Sequence, residues 1–473
     1  MTILAIETSC DETAIAIAEF FGSKKAPRVH ALSHIVLSQI PTHQKFGGVV
    51  PNLAKREHQR NLVPLLLRAL AEAGFVNSKL KNFTPRLSKN HISFIKSSNT
   101  LQRGVSSPPF ISERWGARNA KLQLKIKNDI GQILQREPEL QKLFTKHIAS
   151  LPSPPIDAVA VTYGPGLAPA LWVGVNFAKA LGTLWKKPLI PVNHMEGHLF
   201  SALLQSGEKN FQSNAKSHPH SIGTNSKRKE HITYHLKPIT FPALALLVSG
   251  SHTELVLTKG YGKYLIIGQT LDDAAGEAFD KVARLLGLGY PGGPQIARLA
   301  DQFAQNNAEI NAEQRRKLLR SSASSLRMSA GQPLLPRPMI RSKDYNFSFS
   351  GLKTAVLYLV RDLGKAKTKK FRPLIAGEFQ NAVVDVLVAK TIRAAKEYKA
   401  KTILLGGGVS ANQHLRETLA ATLAKELPKV SCLLSLVSLS GDNALMIALA
   451  AYFSQKTKAP SKLEAKANLR IDD

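Results

Sequence analysis

The sequence predicts an α/β protein of two lobes, and two observations carry this prediction. A strand, a polar turn and a second strand occur twice, at residues 3–18 and 244–258, near the start of each half of the chain. The chain has 473 residues, with 44% hydrophobic and 21% charged side chains, which is enough for two to three domains or one two-lobed fold. We therefore expect a duplicated fold with a cleft between its lobes.

Each predicted element has a local signal in the sequence. Alternating or continuous apolar runs predict strands at residues 3–7, 14–18, 158–162, 244–248, 254–258 and 402–405. Apolar residues at helical spacing predict helices at residues 58–73, 171–185, 275–286, 379–398 and 444–453. The helix at 58–73 is expected to end at Gly74.

Three polar, basic segments interrupt this pattern. Residues 77–150, 205–238 and 301–340 carry +17 of the formal net charge of +31 in under a third of the length. Their composition predicts insertions or mobile loops, with a helical part at 120–144. The two lobes are then expected at residues 1–240, with the first two insertions, and 241–473, with the third.

The charge and the cysteine content restrict the class of protein. A net charge of +31 argues against a self-contained acidic metabolic enzyme and indicates a polyanionic partner, with nucleic acid as the first candidate. Cys10 and Cys432 alone cannot form a disulfide framework or a cysteine-rich zinc module. No apolar run approaches the roughly 18 residues of a membrane span, and no signal peptide is visible. We expect a soluble cytoplasmic protein without a membrane partner.

Two histidines form the strongest candidate for a metal site. His194 and His198 stand four residues apart, which places their imidazoles on one helical face and suits a transition metal. Two ligands do not complete a site, and a histidine pair at this spacing is more often structural. The zinc-protease order His-Glu-x-x-His is absent, because Glu196 follows His194 by two positions. Asp442 is a candidate third ligand, with an N-cap of the helix at 444–453 as its alternative role.

Three turns offer backbone amides and hydroxyl groups. The turns at 8–13 and 249–253 could hold a phosphate between them, although each alone is also an ordinary hairpin turn. The glycine run 406–408 lies between a strand and a helix and would let the backbone approach a flat ring or a ribose. It is neither a dinucleotide fingerprint nor a P-loop. We expect the turns at Ser249 and Gly407 to face each other across the cleft.

Several motifs, taken in order, resemble the bacterial tRNA N6-adenosine threonylcarbamoyltransferase family (TsaD), formerly named O-sialoglycoprotein endopeptidase. The resemblance covers essentially the whole chain outside the basic segments. Its motifs are at residues 6–13, 47–51, 194–198, 247–250, 272–281, 291–294, 347–354 and 407–412.

This resemblance implies an actin-like ATPase (ASKHA) fold with two RNase H-like lobes and an acyltransferase activity. The implied reaction transfers the threonylcarbamoyl group of threonylcarbamoyl-AMP to N6 of the adenosine 3′ of the anticodon (t6A). The implied substrates are tRNAs that read codons beginning with A. A TsaB-like paralogue and a TsaE-like ATPase are the implied protein partners.

The resemblance also implies the site residues. His194, His198 and Asp442 would bind one divalent metal ion, iron with zinc as the alternative. Asp11 or Glu12 would take the amine proton or orient the donor, and the sequence does not decide between them. The implied substrate-binding residues are Leu247, Val248, Ser249, Gly250, Ser251, Asp280, Gly293 and Asn412.

The chain departs from the family pattern at three places. Ser251 stands where the family usually has Gly, Asn52 where it has Glu, and residues 441–444 read Gly-Asp-Asn-Ala instead of Thr-Asp-Asn-Gly. Ser251 is expected to alter the backbone of the second polar turn.

Two other functions stay open at this stage. A small-molecule carbamoyltransferase or kinase of the same superfamily would turn over ATP without tRNA. A nucleotide-binding scaffold without catalysis would tolerate loss of the three metal ligands.

Overall fold

The structure is a computed structural model, and it describes most of the chain. The described residues are 1–23, 26–77, 92–94, 116–205, 209–210, 231–304, 334–454 and 456–473. Within them, no helix is both long enough and apolar enough to cross a bilayer.

The described residues form both strands and helices. The strands are β1 (Thr2–Glu7), β2 (Glu12–Ser23), β3 (Ala26–Ser38), β4 (Ile92–Phe94), β5 (Ala158–Gly164), β6 (Leu189–Asn193), β7 (Leu204–Gln205), β8 (Lys209–Asn210), β9 (His231–Leu236), β10 (Ala243–Val248), β11 (Thr253–Gly260), β12 (Lys263–Gln269), β13 (Thr402–Gly406) and β14 (Ser431–Leu434). The helices are α1 (Ile40–His43), α2 (Pro51–Glu72), α3 (Gly116–Ile133), α4 (Pro138–His147), α5 (Ala168–Trp185), α6 (His194–Ser201), α7 (Ala275–Leu285), α8 (Gly292–Ala304), α9 (Ser350–Glu397), α10 (Gln413–Glu426) and α11 (Ala444–Ser454).

The same five-stranded arrangement is built twice. In the first sheet the antiparallel strands β3, β2 and β1 are followed by the parallel strands β5 and β6. In the second sheet β12, β11 and β10 are followed by β13 and β14 in the same directions. The short strands β4, β7, β8 and β9 extend the first sheet beyond β3. The predicted two-lobed α/β fold with a duplicated sheet is confirmed.

Three apolar clusters hold the two sheets and their helices together. The outer face of the first sheet packs against α2, α3, α4 and α5. The outer face of the second sheet packs against α7, α8, α9 and α10. The third cluster lies between the sheets and contains α6 and α11. The candidate metal-binding histidines of α6 therefore lie at the junction of the lobes.

Gly197 lets the two inner helices approach closely. A Cβ atom at this position would lie 3.0 Å from Cγ of Met446 and 3.1 Å from Cδ1 of Ile447, both on α11. Helix α11 also packs on β1 and β2 of the first sheet, although it comes late in the sequence. After α11 the chain continues along the first sheet, where Leu463 is buried in the cluster on the outer face.

Most predicted elements lie at the expected places but extend further. The strand predicted at 14–18 is β2, and the helix predicted at 58–73 begins at Pro51, whose fixed φ suits the first helical turn. The helix predicted at 379–398 is the second part of α9, which bends at Gly364, where φ is +69°.

Part of the first basic segment belongs to the folded core. The helical stretch predicted at 120–144 is two helices, because Pro138 starts a new helix after α3. Leu134, Leu140 and Phe144 are fully buried in the outer cluster of the first sheet. The loops expected in the rest of the basic segments lie largely outside the described residues, at 78–91, 95–115, 206–208, 211–230 and 305–333.

Candidate metal centre and substrate cleft

Two histidines begin the inner helix α6. Asn193 ends β6 and caps the helix, because its side chain accepts a hydrogen bond of 2.9 Å from the amide of Met195. One helical turn then brings the imidazoles of His194 and His198 together, with ring centroids 4.6 Å apart. The prediction that they share one helical face is confirmed.

Asp442 meets the histidines from the loop before α11. The alternative role of Asp442 as the N-cap is wrong, because Asn443 caps this helix by accepting a hydrogen bond of 3.0 Å from Met446 N. Oδ1 of Asp442 lies 3.4 Å from Nε2 of His194 and 3.2 Å from Nε2 of His198. The predicted convergence is confirmed, since one candidate ligand atom from each residue lies within 4.8 Å of the others.

These three residues fit one divalent transition metal ion. His198 is fully buried, and in the described part of the chain neither ring nitrogen makes a directed hydrogen bond. Nε2 has the carboxylate of Asp442 at 3.2 Å but no hydrogen bond, and a buried polar atom without a hydrogen bond costs free energy, so this imidazole is suited to a ligand that the chain itself does not supply. Two imidazole nitrogens and one carboxylate oxygen form a donor set that iron and zinc accept.

Glu7 orients His194 through the second ring nitrogen. Its Oε2 lies 3.1 Å from Nδ1 of His194 and accepts a hydrogen bond of 2.5 Å from Thr162 Oγ1. Its Oε1 accepts a 2.5 Å hydrogen bond from the amide of Ser9. A carboxylate at Nδ1 holds the proton there and leaves Nε2 directed towards Asp442. Sequence analysis missed Glu7, although a charged residue at the end of an apolar strand is a usable signal.

The cluster is built to stabilise positive charge. Burial disfavours the imidazolium form of His194, but the carboxylates of Asp442 and Glu7 more than offset this and raise its pKa to about 10. Burial likewise opposes ionisation of Asp442, yet the imidazoles hold its pKa well below the usual range. Burial lowers the pKa of His198, which favours its neutral form. A proton or a metal ion can supply the positive charge.

The first polar turn lies against this cluster. Ser9 Oγ is 3.2 Å from Nδ1 of His194. Burial raises the pKa of both Asp11 and Glu12, and the nearby charge of Asp442 adds to each rise. A hydrogen bond joins the two carboxyl groups. It lowers the pKa of Asp11 and raises the pKa of Glu12. The two acids therefore titrate as one coupled pair.

A histidine network that sequence analysis missed fixes the position of the first turn. Nε2 of His58 donates to the carbonyl of Cys10 at 3.0 Å, and its Nδ1 accepts from Thr13 Oγ1 at 2.8 Å. The amide of Gln39 also contacts this Nδ1 at 3.3 Å, and its oxygen accepts from Nε2 of His43 at 3.1 Å. These contacts are satisfied together by one tautomer of each histidine.

The second polar turn and the glycine turn are neighbours on one sheet. β10 and β13 are parallel, and Leu247 pairs with Gly406, so both turns leave the same edge. Gly407 has φ +91°, and a Cβ atom there would lie 2.3 Å from the carbonyl oxygen of Val248. The expectation that Ser249 and Gly407 face each other across the cleft is wrong, because adjacent parallel strands end side by side.

The second turn reaches the metal cluster through His252. Burial, together with the imidazoles of His194 and His198, lowers the pKa of His252 to about 4. Ser249 Oγ accepts from the amide of His252 at 3.1 Å, and Ser251 Oγ lies 3.0 Å from its Nδ1. Ser251 does not have a positive φ, so its side chain imposes no left-handed strain on the turn.

Two further predicted residues, Asp280 and Gly293, lie on α7 and at the start of α8. Asp280 accepts a hydrogen bond of 2.6 Å from Gly292 N at the start of α8. Burial raises the pKa of Asp280, and the charge of Asp11 adds to this rise, which places the two acids within electrostatic range. The space beside Cα of Gly293 is unoccupied, since a Cβ atom there would have no neighbour within 4 Å.

Asn412 has a structural role in the described arrangement. Its Oδ1 caps α10 by accepting from Leu415 N at 3.0 Å, and its Nδ2 donates to Gln380 at 2.8 Å. Its predicted role in substrate binding would have to be combined with these contacts.

The amino-acid sequence matches known proteins over most of the chain. The family model described as TsaD, tRNA N6-adenosine threonylcarbamoyltransferase, matches residues 30–83, 138–213 and 228–449. A protein of that name from Thermosipho africanus is 36% identical, with both chains covered completely. Relatives of the same name from Geobacillus kaustophilus and Bacillus subtilis are 36% and 34% identical, covering 99% and 95% of this chain and 96% and 89% of theirs. The chain belongs to the TsaD family of tRNA N6-adenosine threonylcarbamoyltransferases.

Proposed function

We propose that this chain transfers the threonylcarbamoyl group of threonylcarbamoyl-AMP to N6 of the adenosine 3′ of the anticodon, in tRNAs that read codons beginning with A. The observation that carries the proposal is the convergence of His194, His198 and Asp442 beside the polar turns of both lobes, in a member of the TsaD family. A net charge of +31 suits a tRNA substrate. Two cysteines in 473 residues fit a reducing compartment, and we propose the cytoplasm as the location.

His194, His198 and Asp442 are the residues that would hold one divalent metal ion, and we propose iron, with zinc as the alternative. When bound, such an ion supplies a Lewis acid for the carbonyl or phosphate oxygens of the donor. Glu7 keeps His194 in the tautomer and orientation that this role requires.

The second polar turn is proposed to hold the donor phosphate. The amide of Ser249 is already committed, since it donates to the carbonyl of His252 at 2.8 Å. The exposed amides of Gly250 and Ser251 are therefore the proposed donors to the phosphate oxygens. Gly293 would admit the donor closely because no atom occupies the space beside its Cα.

Asp11 is proposed as the group that receives the N6 proton. The exocyclic amine is a weak nucleophile because its lone pair is delocalised into the adenine ring, so the proton must leave as the new bond forms. The N6–carbonyl bond forms, the bond between the carbonyl carbon and the phosphate oxygen breaks, and AMP leaves. Asp11 suits this role because burial and the nearby charge of Asp442 raise its pKa, which makes its carboxylate a stronger base.

A TsaB-like paralogue and a TsaE-like ATPase are proposed as partners from the family resemblance. The test is incubation of the chain, alone and with these partners, with threonylcarbamoyl-AMP and unmodified tRNA, followed by nucleoside mass analysis. Formation of t6A is the expected result. Donor turnover that does not require tRNA, without t6A, would favour a small-molecule carbamoyltransferase instead.

A further inference from the structure

A cavity of about 500 Å³ opens in the first lobe, outside the site described above. It lies between α2, the connection from α3 to α4, and the first turns of α5. Its volume falls in the range of roughly 300–1,000 Å³ that is usual for small-ligand pockets. The wall at residues 132–137 lies outside the part of the chain that the family model matches.

The cavity is lined by three cations and one carboxyl group. Lys55 is half-buried, Arg136 is exposed, and Lys179 is half-buried and donates to the carbonyl of Leu463 at 3.3 Å. The carboxyl group belongs to Glu137, which is 1% exposed and accepts a hydrogen bond of 3.1 Å from Asn176. The excess of positive charge favours an anionic ligand.

Trp172 gives the same cavity an aromatic wall. Trp172 is half-buried. The exposed residues Gln132 and Gln135 line the wall formed by the end of α3 and the connection that follows it. This combination can recognise a nucleotide. Cations pair with the phosphate, an aromatic face stacks on the base, and side-chain amides hydrogen-bond to the base edges.

The cavity adjoins the reaction site through helix α5. The start of this helix lines the cavity and is tied to the first polar turn by two hydrogen bonds. Leu167 N donates to the carbonyl of Ser9 at 2.8 Å, and Thr8 Oγ1 donates to the carbonyl of Ala170 at 3.2 Å. The start of α5 therefore contacts both the first polar turn and the cavity.

We propose that this cavity, defined by Lys55, Arg136, Lys179 and Trp172, binds one nucleotide of the tRNA outside the reacting adenosine. The cations hold the backbone phosphate and Trp172 stacks on the base. The proposal rests on the proposed function in that it takes tRNA as the substrate. A free nucleotide offers the same chemistry, so the experiment includes AMP as a separate probe.

The test measures equilibrium binding of unmodified tRNA to the full chain, without donor, over a series of KCl concentrations. Each phosphate contact contributes about 0.7–0.9 to the slope of log affinity against log salt concentration. The double variant Lys55→Gln and Arg136→Gln removes the contact to this one phosphate and should therefore make the slope shallower by about 0.7–0.9. Trp172→Leu should weaken binding about tenfold and leave the slope unchanged.

The control removes the same charge from the opposite end of α5. Lys186→Gln with Lys187→Gln should keep the wild-type salt slope, and thermal unfolding verifies that every variant folds. The single variants Lys55→Gln and Arg136→Gln replace the double variant if it does not fold. Each should then make the slope shallower by about half as much.

Three results would overturn the proposal: an unchanged slope in the Lys55 and Arg136 variants, an equal change in the control, or AMP binding that these variants abolish while tRNA binding stays the same. Because no donor is present, a chain that forms no t6A but shows the expected slopes would contradict the proposed function and leave this inference standing.

Discussion

Oε2 of Glu7 lies 3.1 Å from Nδ1 of His194, which joins the end of the first strand to the candidate metal centre. The strand is buried on both faces, so the carboxylate is held in one place and can orient the imidazole. The same carboxylate accepts hydrogen bonds from Thr162 and Ser9. A residue outside the three proposed ligands is therefore positioned to orient one of them.

Glu7→Gln should lower metal affinity by about 10- to 100-fold, because the amide is a weaker partner for the imidazole N–H. Metal content after dialysis against a graded series of chelator concentrations measures this effect. Glu196→Gln is the matched control, since Glu196 lies on the same helix but is not part of the cluster. Equal affinity in the Glu7 variant and the wild type would contradict the orienting role.

Asp442→Asn and Asn443→Ala should separate ligand binding from helix capping. Loss of the Asn443 cap should lower the unfolding free energy of the metal-free protein by about 1 kcal/mol. Asp442→Asn should lose the metal and keep the cap. Chemical denaturation and metal analysis of both variants check this, and wild-type metal content in Asp442→Asn would mean that Asp442 is not a ligand.

Gly197→Ala should destabilise the junction of α6 and α11. The added Cβ atom would lie 3.0 Å from Met446 and 3.1 Å from Ile447, an overpacking that costs about 1–3 kcal/mol. Gly131→Ala on α3 is the control, because its nearest neighbour would be 3.7 Å away. That variant should gain about 0.5–1 kcal/mol from helix propensity. Equal unfolding free energies would show that the two helices can move apart freely.

His34 should make the fold sensitive to acid. Burial lowers its pKa to about 4, and neither ring nitrogen has a hydrogen-bond partner in the described part of the chain. The unfolded chain binds more protons between the ordinary histidine pKa near 6.5 and pH 4, so stability is lost as the pH falls through this window. The expected loss is about 3 kcal/mol. His34→Phe should remove this contribution, as measured by denaturation at pH 8 and pH 4. The same pH dependence in both proteins would contradict the assignment.

The sequence predicts the duplicated sheet and the metal cluster because their signals are local. Two apolar runs around a polar turn indicate adjacent strands, and the i, i+4 spacing of His194 and His198 indicates one helical face. Glu7 was missed because its role depends on a contact with a residue 187 positions away.

The other differences between the predictions and the structure also arise from contacts between residues that are distant in the sequence. Asp442 and Asn443 are both good capping residues, and only the packing of α11 decides which of them caps. The side-by-side position of Ser249 and Gly407 follows from the parallel pairing of β10 and β13, which no local pattern encodes. The burial of Leu134 and Phe144 depends on their packing against the first sheet, whereas the basic composition around them indicated loops.

The central claim is that His194, His198 and Asp442 hold a metal ion on which transfer to tRNA depends. The most direct test is the rate of t6A formation, with the partner proteins present, by wild-type chain that is chelator-treated and then resupplied with ferrous iron or zinc. The account predicts that chelation abolishes the rate, that one of these ions restores it, and that Asp442→Asn is inactive under every condition. Formation of t6A by Asp442→Asn at the wild-type rate would contradict the account.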